Sequence, residues 1–278
     1  MPEGPTILML REEADRFRGK IVRRASGNAK LDLTRLEGKR VKAVRTWGKH
    51  FLLEFSGFSV RVHLLLFGSY RIDHPKDATP RLALEFDNGQ LIFYASSVKY
   101  IEGDLDDAYD WTADVLSDSW SAANAKKKLR VKPDMLACDA LLDQDIFAGV
   151  GNIIKNEVLF RMRIHPESQV GAIPAAKVAK MVDDARIFSF QFLEWRRAGV
   201  LKKNCKVHKK TMCSRCGIPL ELRELGKTHR RAFYCIKCQT LYQHEMKKPI
   251  AVKKAAVRKK VAAPKIGKTV TSRKKKLF

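Results

Sequence analysis

The residues best placed to do chemistry sit near the two ends of the chain. Met1-Pro2-Glu3-Gly4-Pro5 puts a proline and a carboxylate side by side. Pro2 is small enough for the initiator methionine to be trimmed, which leaves a secondary amine at the terminus. An α-amino group has a reference pKa of about 7.7–8.0, so roughly a tenth is neutral and nucleophilic at pH 7. Attack by such an amine on a sugar carbon gives an iminium ion, a covalent electron sink. Glu3 stands next to it as proton donor and acceptor. The plainer reading of the same residues is a proline that introduces a helix, expected here from Ile7 to Phe17.

Toward the other end, Cys213-x2-Cys216, eighteen residues, then Cys235-x2-Cys238 has the spacing of a four-thiolate zinc ribbon. Each pair supplies one edge of a tetrahedron, and the residues between can form a hairpin that returns the second pair. One zinc ion held this way is structural, because four protein ligands leave no position for water. Redox-active CxxC pairs are the alternative, and two pairs at this spacing argue against it. Cys138 falls in an apolar helical pattern and is expected in the core. Cys205 and His208 are spare once the set of four is complete. Between the pairs, Arg230 and Arg231 place guanidinium groups suited to bidentate phosphate contact, or to ordinary solvated charge.

Composition narrows the partner. The 278 residues are 45% hydrophobic, which supports a globular fold, and carry 55 Lys+Arg against 30 Asp+Glu, a net charge of +25. That excess attracts a polyanion, most commonly nucleic acid. An anionic membrane surface would attract it too, but no apolar stretch approaches the roughly 20 residues that span a bilayer. Charged residues from Glu3 onward argue against a signal peptide. The expected location is therefore intracellular and DNA-associated (cytoplasm or nucleoid in a bacterium), with the cysteines as ligands or free thiols. Residues 247–278 hold 13 Lys/Arg and no acid; with so little to bury, they are expected to form a disordered basic tail. Asp104 to Asp118 holds six aspartates and reads as a linker or a surface turned away from DNA.

These groups need elements to position them. Residues 38–100 read as strands, with hairpin turns at Ser56-Gly57 and Asp87-Asn88-Gly89. From Lys126 to about Gly199 the period becomes helical, over Met135–Leu142, Ile153–Phe160 and Ala175–Trp195. Between two of these patterns lies Gly149-Val150-Gly151-Asn152, where Asn152 falls at an N-cap position and the helix start offers a phosphate site. The expected fold is α+β and multidomain: an N-terminal β-sandwich (1–120), a helical domain (126–204), a four-cysteine zinc ribbon finger (205–243) and the tail.

In this order, the PEGP start, Gly48-Lys49, the Gly149-Val-Gly-Asn152 turn and the four cysteines resemble the Fpg/Nei family of bifunctional DNA glycosylases, more closely its endonuclease VIII branch. The resemblance covers about residues 1–243. It implies a helix–two-turns–helix domain and a structural zinc. It also implies Pro2 as nucleophile on the sugar C1′, Glu3 as acid/base and Lys49 as a lysine that contacts the lesion phosphate and assists chemistry. Asn152 and Arg230 would grip phosphates around the flipped nucleotide, with His63 as a further contact. Leu66 and Phe67, in Leu64-Leu65-Leu66-Phe67-Gly68, would fill the void that base extrusion leaves, and Leu64 is expected to be buried. The implied activity is excision of oxidised bases followed by β,δ-elimination, carried out by a monomer on damaged double-stranded DNA. Two features depart from the family pattern. Thr6 stands where a second glutamate is usual, and Phe192 to Cys213 is short for the loop that covers oxidised guanine, which favours oxidised pyrimidines, ring-opened purines or abasic sites over 8-oxoguanine. The rival readings are a noncatalytic DNA-binding zinc protein and a zinc-ribbon transcription accessory factor.

Overall fold

A computed structural model describes residues 2–244; the basic tail assigned to 247–278 lies outside the described residues. Helix α1 (Gly4–Ala14) begins three residues before the expected Ile7, because Pro5 lies in the first turn, where a missing N–H costs nothing. The strands follow as β1 (Arg24–Ser26), β2 (Ala43–Trp47), β3 (His50–Glu54), β4 (Phe58–His63), β5 (Ser69–Ile72), β6 (Leu82–Phe86), β7 (Gly89–Tyr94) and β8 (Ser97–Glu102).

They form two antiparallel four-stranded sheets, in the orders β1-β6-β7-β5 and β2-β3-β4-β8. Both expected hairpins are present. In the first, Leu53 pairs with Val60 around Gly57, whose φ of +84° suits glycine; in the second, Phe86 pairs with Gly89. The sheets face each other through buried Phe51, Leu53, Val60 and Val62 on one side and Leu82, Leu84, Leu91 and Phe93 on the other. The rings of Phe51 and Phe93 meet at 5.5 Å. Ile7, Leu10 and Ala14 of α1 join the same core, so the N-terminus is fixed to the sandwich by its first helix.

The helical unit comprises the short α2 (Leu105–Ala108), then α3 (Ala122–Arg130), α4 (Ala137–Leu142), α5 (Asn152–Met162), α6 (Ala175–Arg197) and α7 (Leu201–Asn204). Helix α5 packs against α4, α6 and the last strand of the chain, and buries nearly every side chain, polar ones included. The acidic stretch behaves as expected only in part. Asp104 and Asp110 are capping residues near the surface, but Asp114 turns inward and is buried, because backbone N–H groups satisfy its carboxylate. The C-terminal unit is a hairpin of β9 (Glu221–Leu225) and β10 (Arg230–Tyr234) with the four cysteines gathered beside it. No helix among the described residues is long and apolar enough to cross a membrane.

Candidate active site

Glu3 does two jobs at once. Its backbone carbonyl accepts from the N–H groups of Thr6 and Ile7 and so opens α1. Its side chain, fully buried, reaches across to the start of α5. There Oε1 accepts from Ile153 N–H at 2.7 Å, and Oε2 accepts from Gly151 and Ile154 N–H at 3.1 and 3.2 Å. The first N–H groups of a helix have no partner within it and favour negative charge. Here a carboxylate about 150 residues earlier satisfies them. Asn152 is accordingly not the N-cap expected from the sequence: Gly151 holds that position and Asn152 is the first helical residue. Burial pushes the Glu3 carboxyl above its ordinary range, against the opposing pull of these N–H groups and of the Lys49 charge.

Lys49 follows Gly48 in the tight β2–β3 turn, where φ is +54° and an added Cβ would lie 2.8 Å from the Gly149 nitrogen. The turn is pinned by Asp114, which accepts from Gly48 N–H at 2.9 Å and from Leu116 N–H at 2.9 Å. Arg186 of α6 holds the same segment through the carbonyls of Val115 (3.0 Å) and Ser117 (2.7 Å). Three backbones thus meet: the N-terminus donates Gly4 N–H to Gly149 O at 2.9 Å, while Gly48 and Gly149 touch. Burial lowers the Lys49 ammonium below its usual range; nearby Glu3 opposes that shift and Arg230 adds to it.

The remaining expected residues surround this junction. Pro2 lines a cleft of about 850 Å³ together with Thr6, Leu66 and Phe67. Leu64 is buried as expected, whereas Leu66 is 45% exposed and Phe67 89% exposed. Asn152 is buried, and its Oδ1 has no hydrogen-bond partner among the described residues. His63 ends β4 half-buried, accepts from Leu65 N–H at 3.2 Å through Nδ1, and feels the charge of Lys49. Arg230 opens β10, half-buried, with its charge acting on Lys49. After α6 the chain passes through the single turn of α7; Arg196 near the end of α6 and Leu201 and Lys202 of α7 line the cleft.

The sulfurs of Cys213, Cys216, Cys235 and Cys238 all lie within 4.8 Å of one another, with Cys213–Cys238 at 3.8 Å and Cys216–Cys235 at 3.5 Å. Tetrahedral zinc with Zn–S bonds near 2.3 Å requires S···S separations of about 3.8 Å, so the donor set fits that ion. Cys138 and Cys205 are buried outside the cluster.

Sequence reasoning missed five buried charges. Besides Asp114, these are Asp139 on α4, Lys155 and Glu157 on α5, and Asp184 on α6, which pairs with Arg161. Glu157 accepts from the N–H groups of Lys206, Val207 and His208 at 2.8–2.9 Å, which ties the start of the C-terminal unit to α5. For Lys155 and Glu157 the available signal was Lys155-Asn156-Glu157, three consecutive polar residues between the apolar Ile153-Ile154 and Val158-Leu159-Phe160.

This architecture defines a class. The formamidopyrimidine-DNA glycosylase N-terminal domain matches residues 1–97, and the formamidopyrimidine-DNA glycosylase H2TH domain matches residues 112–188. The chain belongs to the Fpg/Nei family, and its relatives place it on the endonuclease 8-like side. Endonuclease 8-like 3 of Xenopus laevis is 32% identical over 233 residues, covering 77% of this chain and 37% of the relative. A DNA-(apurinic or apyrimidinic site) lyase of Mycolicibacterium smegmatis is 27% identical over 263 residues, covering 86% and 99%. The chain spans little more than a third of the first of these. In fold it is similar to Lactococcus lactis formamidopyrimidine-DNA glycosylase bound to DNA containing an AP site, with a TM-score of 0.75, 23% identity and coverage of 85% and 99%.

Proposed function

We propose that this chain is a bifunctional DNA glycosylase/AP lyase that excises oxidised bases, pyrimidines favoured, from duplex DNA. One observation carries the reading: a carboxylate adjoining Pro2 is buried, held by three backbone N–H groups and close to a lysine. With Met1 removed, the Pro2 nitrogen attacks the sugar C1′ and the base leaves with the glycosidic electron pair. Glu3, whose raised carboxyl retains a proton more readily, protonates the ring oxygen as the sugar opens to the iminium. The iminium then acidifies C2′–H. Loss of that proton breaks the C3′–O bond, a second elimination breaks the C5′–O bond, and hydrolysis frees the amine. Lys49 supports this charge flow by contacting the lesion phosphate.

Asn152, Arg230 and His63 grip phosphates about the extruded nucleotide, and Leu66 and Phe67 occupy the gap it leaves. Zinc on the four cysteines would hold the finger that carries Arg230. The short connection through α7 leaves the cleft without a purine-covering loop, which supports the pyrimidine preference. The cleft-lining Thr6, in place of a second acid, leaves the chemistry to Glu3.

Borohydride reduction during incubation with an abasic duplex tests the mechanism. The expected result is a covalent adduct that peptide mapping places on Pro2. An adduct on a lysine refutes the role of Pro2, and tight binding with no adduct refutes the mechanism and favours the noncatalytic reading.

A further inference from the structure

The hairpin that carries Arg230 is held by the helical unit on both sides of that residue. At its tip, Gly226 runs so close to α4 that an added Cβ would lie 2.2 Å from Asp139 Oδ1. The next amide, Lys227 N–H, donates to both carboxylate oxygens of Asp139 at 2.9 and 3.1 Å. On the other side, Lys155 Nζ donates to the Arg231 carbonyl at 3.2 Å, and Asn156 accepts from Phe233 N–H at 3.4 Å. Arg230 itself pairs across the hairpin with Leu225, which packs on the helical core.

Both holding groups are buried charges, with Lys155 0% and Asp139 8% exposed. Lysine is almost never fully buried without a specific partner. A hairpin needs neither group in order to form, since β9 and β10 pair through their own backbones. Lys155 also directly follows Ile154, the last of the residues whose N–H groups hold Glu3. Helix α5 is therefore a single rigid element joining the carboxylate to the arginine strand, the kind of support that keeps a site within fractions of an ångström.

We propose that Asp139 and Lys155 are positioning residues for Arg230, fixing its strand so that the guanidinium meets the phosphate beside the extruded nucleotide. This rests on the reading of Arg230 as a phosphate grip. Residues that act through another show strong non-additivity with it, whereas a merely stabilising role gives independent losses.

The test is a double-mutant cycle on the full-length, zinc-loaded protein, read as affinity for a duplex carrying a tetrahydrofuran abasic analogue. Asp139→Ala and Lys155→Met should each weaken binding by about tenfold, within the range expected for coupled neighbours. In an Arg230→Ala background each should add less than about twofold. Zinc stoichiometry, measured in parallel, should stay unchanged. Full losses persisting in that background, with Arg230→Ala itself impaired, overturn the inference and leave the role of Arg230 standing. Arg230→Ala without any loss overturns both. Should Asp139→Ala fail to fold, Asp139→Asn keeps one acceptor for Lys227 N–H. Its smaller loss must also vanish in the Arg230→Ala background, and persistence overturns the inference.

Discussion

Adding one methyl group at Gly151 should disable the proposed acid/base residue without touching it. Gly151 has φ −121° and ψ −162°, a conformation open to alanine, so Gly151→Ala introduces no backbone strain. Its Cβ, however, would lie 2.3 Å from Glu3 Cδ and 2.7 Å from Oε1, where carbon contacts normally begin near 3.5 Å. The carboxylate must therefore withdraw by about 1 Å, a displacement that costs on the order of 100-fold when it misplaces a catalytic group. It also weakens three N–H bonds to a charged acceptor, each worth about 1.5–3 kcal/mol, although water and side-chain movement recover part of that. Single-turnover cleavage of a preformed abasic duplex at saturating enzyme should fall about 100-fold. Affinity for the same duplex under non-reactive conditions and zinc content should hold. Cleavage at the wild-type rate would show that the position of Glu3 does not matter and refute the reasoning.

Other expectations follow from burial and charge. Phe67→Ala should leave folding stability within about 0.5 kcal/mol, as for surface changes generally, while weakening abasic-duplex binding; a melting-curve loss of several degrees would place Phe67 in the core instead. Leu64→Ala, at a buried site, should cost about 2–5 kcal/mol in denaturant titration. His50 is pulled down to about 3, chiefly by burial and further by Arg61, His63 and Lys49. A folded-state pKa below the unfolded value contributes stability that is present above about 6.5 and lost as pH falls toward 3. The melting temperature of His50→Gln should thus decline less than that of wild type between pH 6.5 and 4, and parallel profiles would contradict this. Cys235→Ser should lose its metal by elemental analysis, and Cys205→Ser should retain it.

The sandwich was legible because its punctuation is local: Gly57 and Asn88-Gly89 announce hairpins, and the apolar strands fill the space between them. The cysteine cluster was legible because each knuckle closes within four residues. The start of α5 was not, since its cap comes from Glu3 and no neighbouring residue hints at it. Asp114 sat in an acidic run in which Asp104 and Asp110 cap turns at the surface, and only the fold distinguishes the one that faces Gly48. Asp139 was invisible for the same reason, and the polar run at Lys155 hints at burial without naming a partner, because the partners of both lie about 76 to 88 residues away. Buried charges are placed by tertiary geometry, which composition and period do not encode.

The bond between Glu3 and the start of α5 also sets a clock. Residue 3 is made before its partners at 151, 153 and 154, which follow only after about 150 more residues, roughly 8–30 s later at ordinary synthesis rates. Until then the carboxylate is solvated and has an ordinary acidity, and the lysine turn has no Asp114 to shape it. A nascent chain therefore carries Pro2 without the surroundings that the proposed mechanism requires. Under the proposed mechanism, the acid/base surroundings of Pro2 assemble only once residues 151–154 join the first helix, so the fold itself acts as a safety catch on the proposed nucleophile.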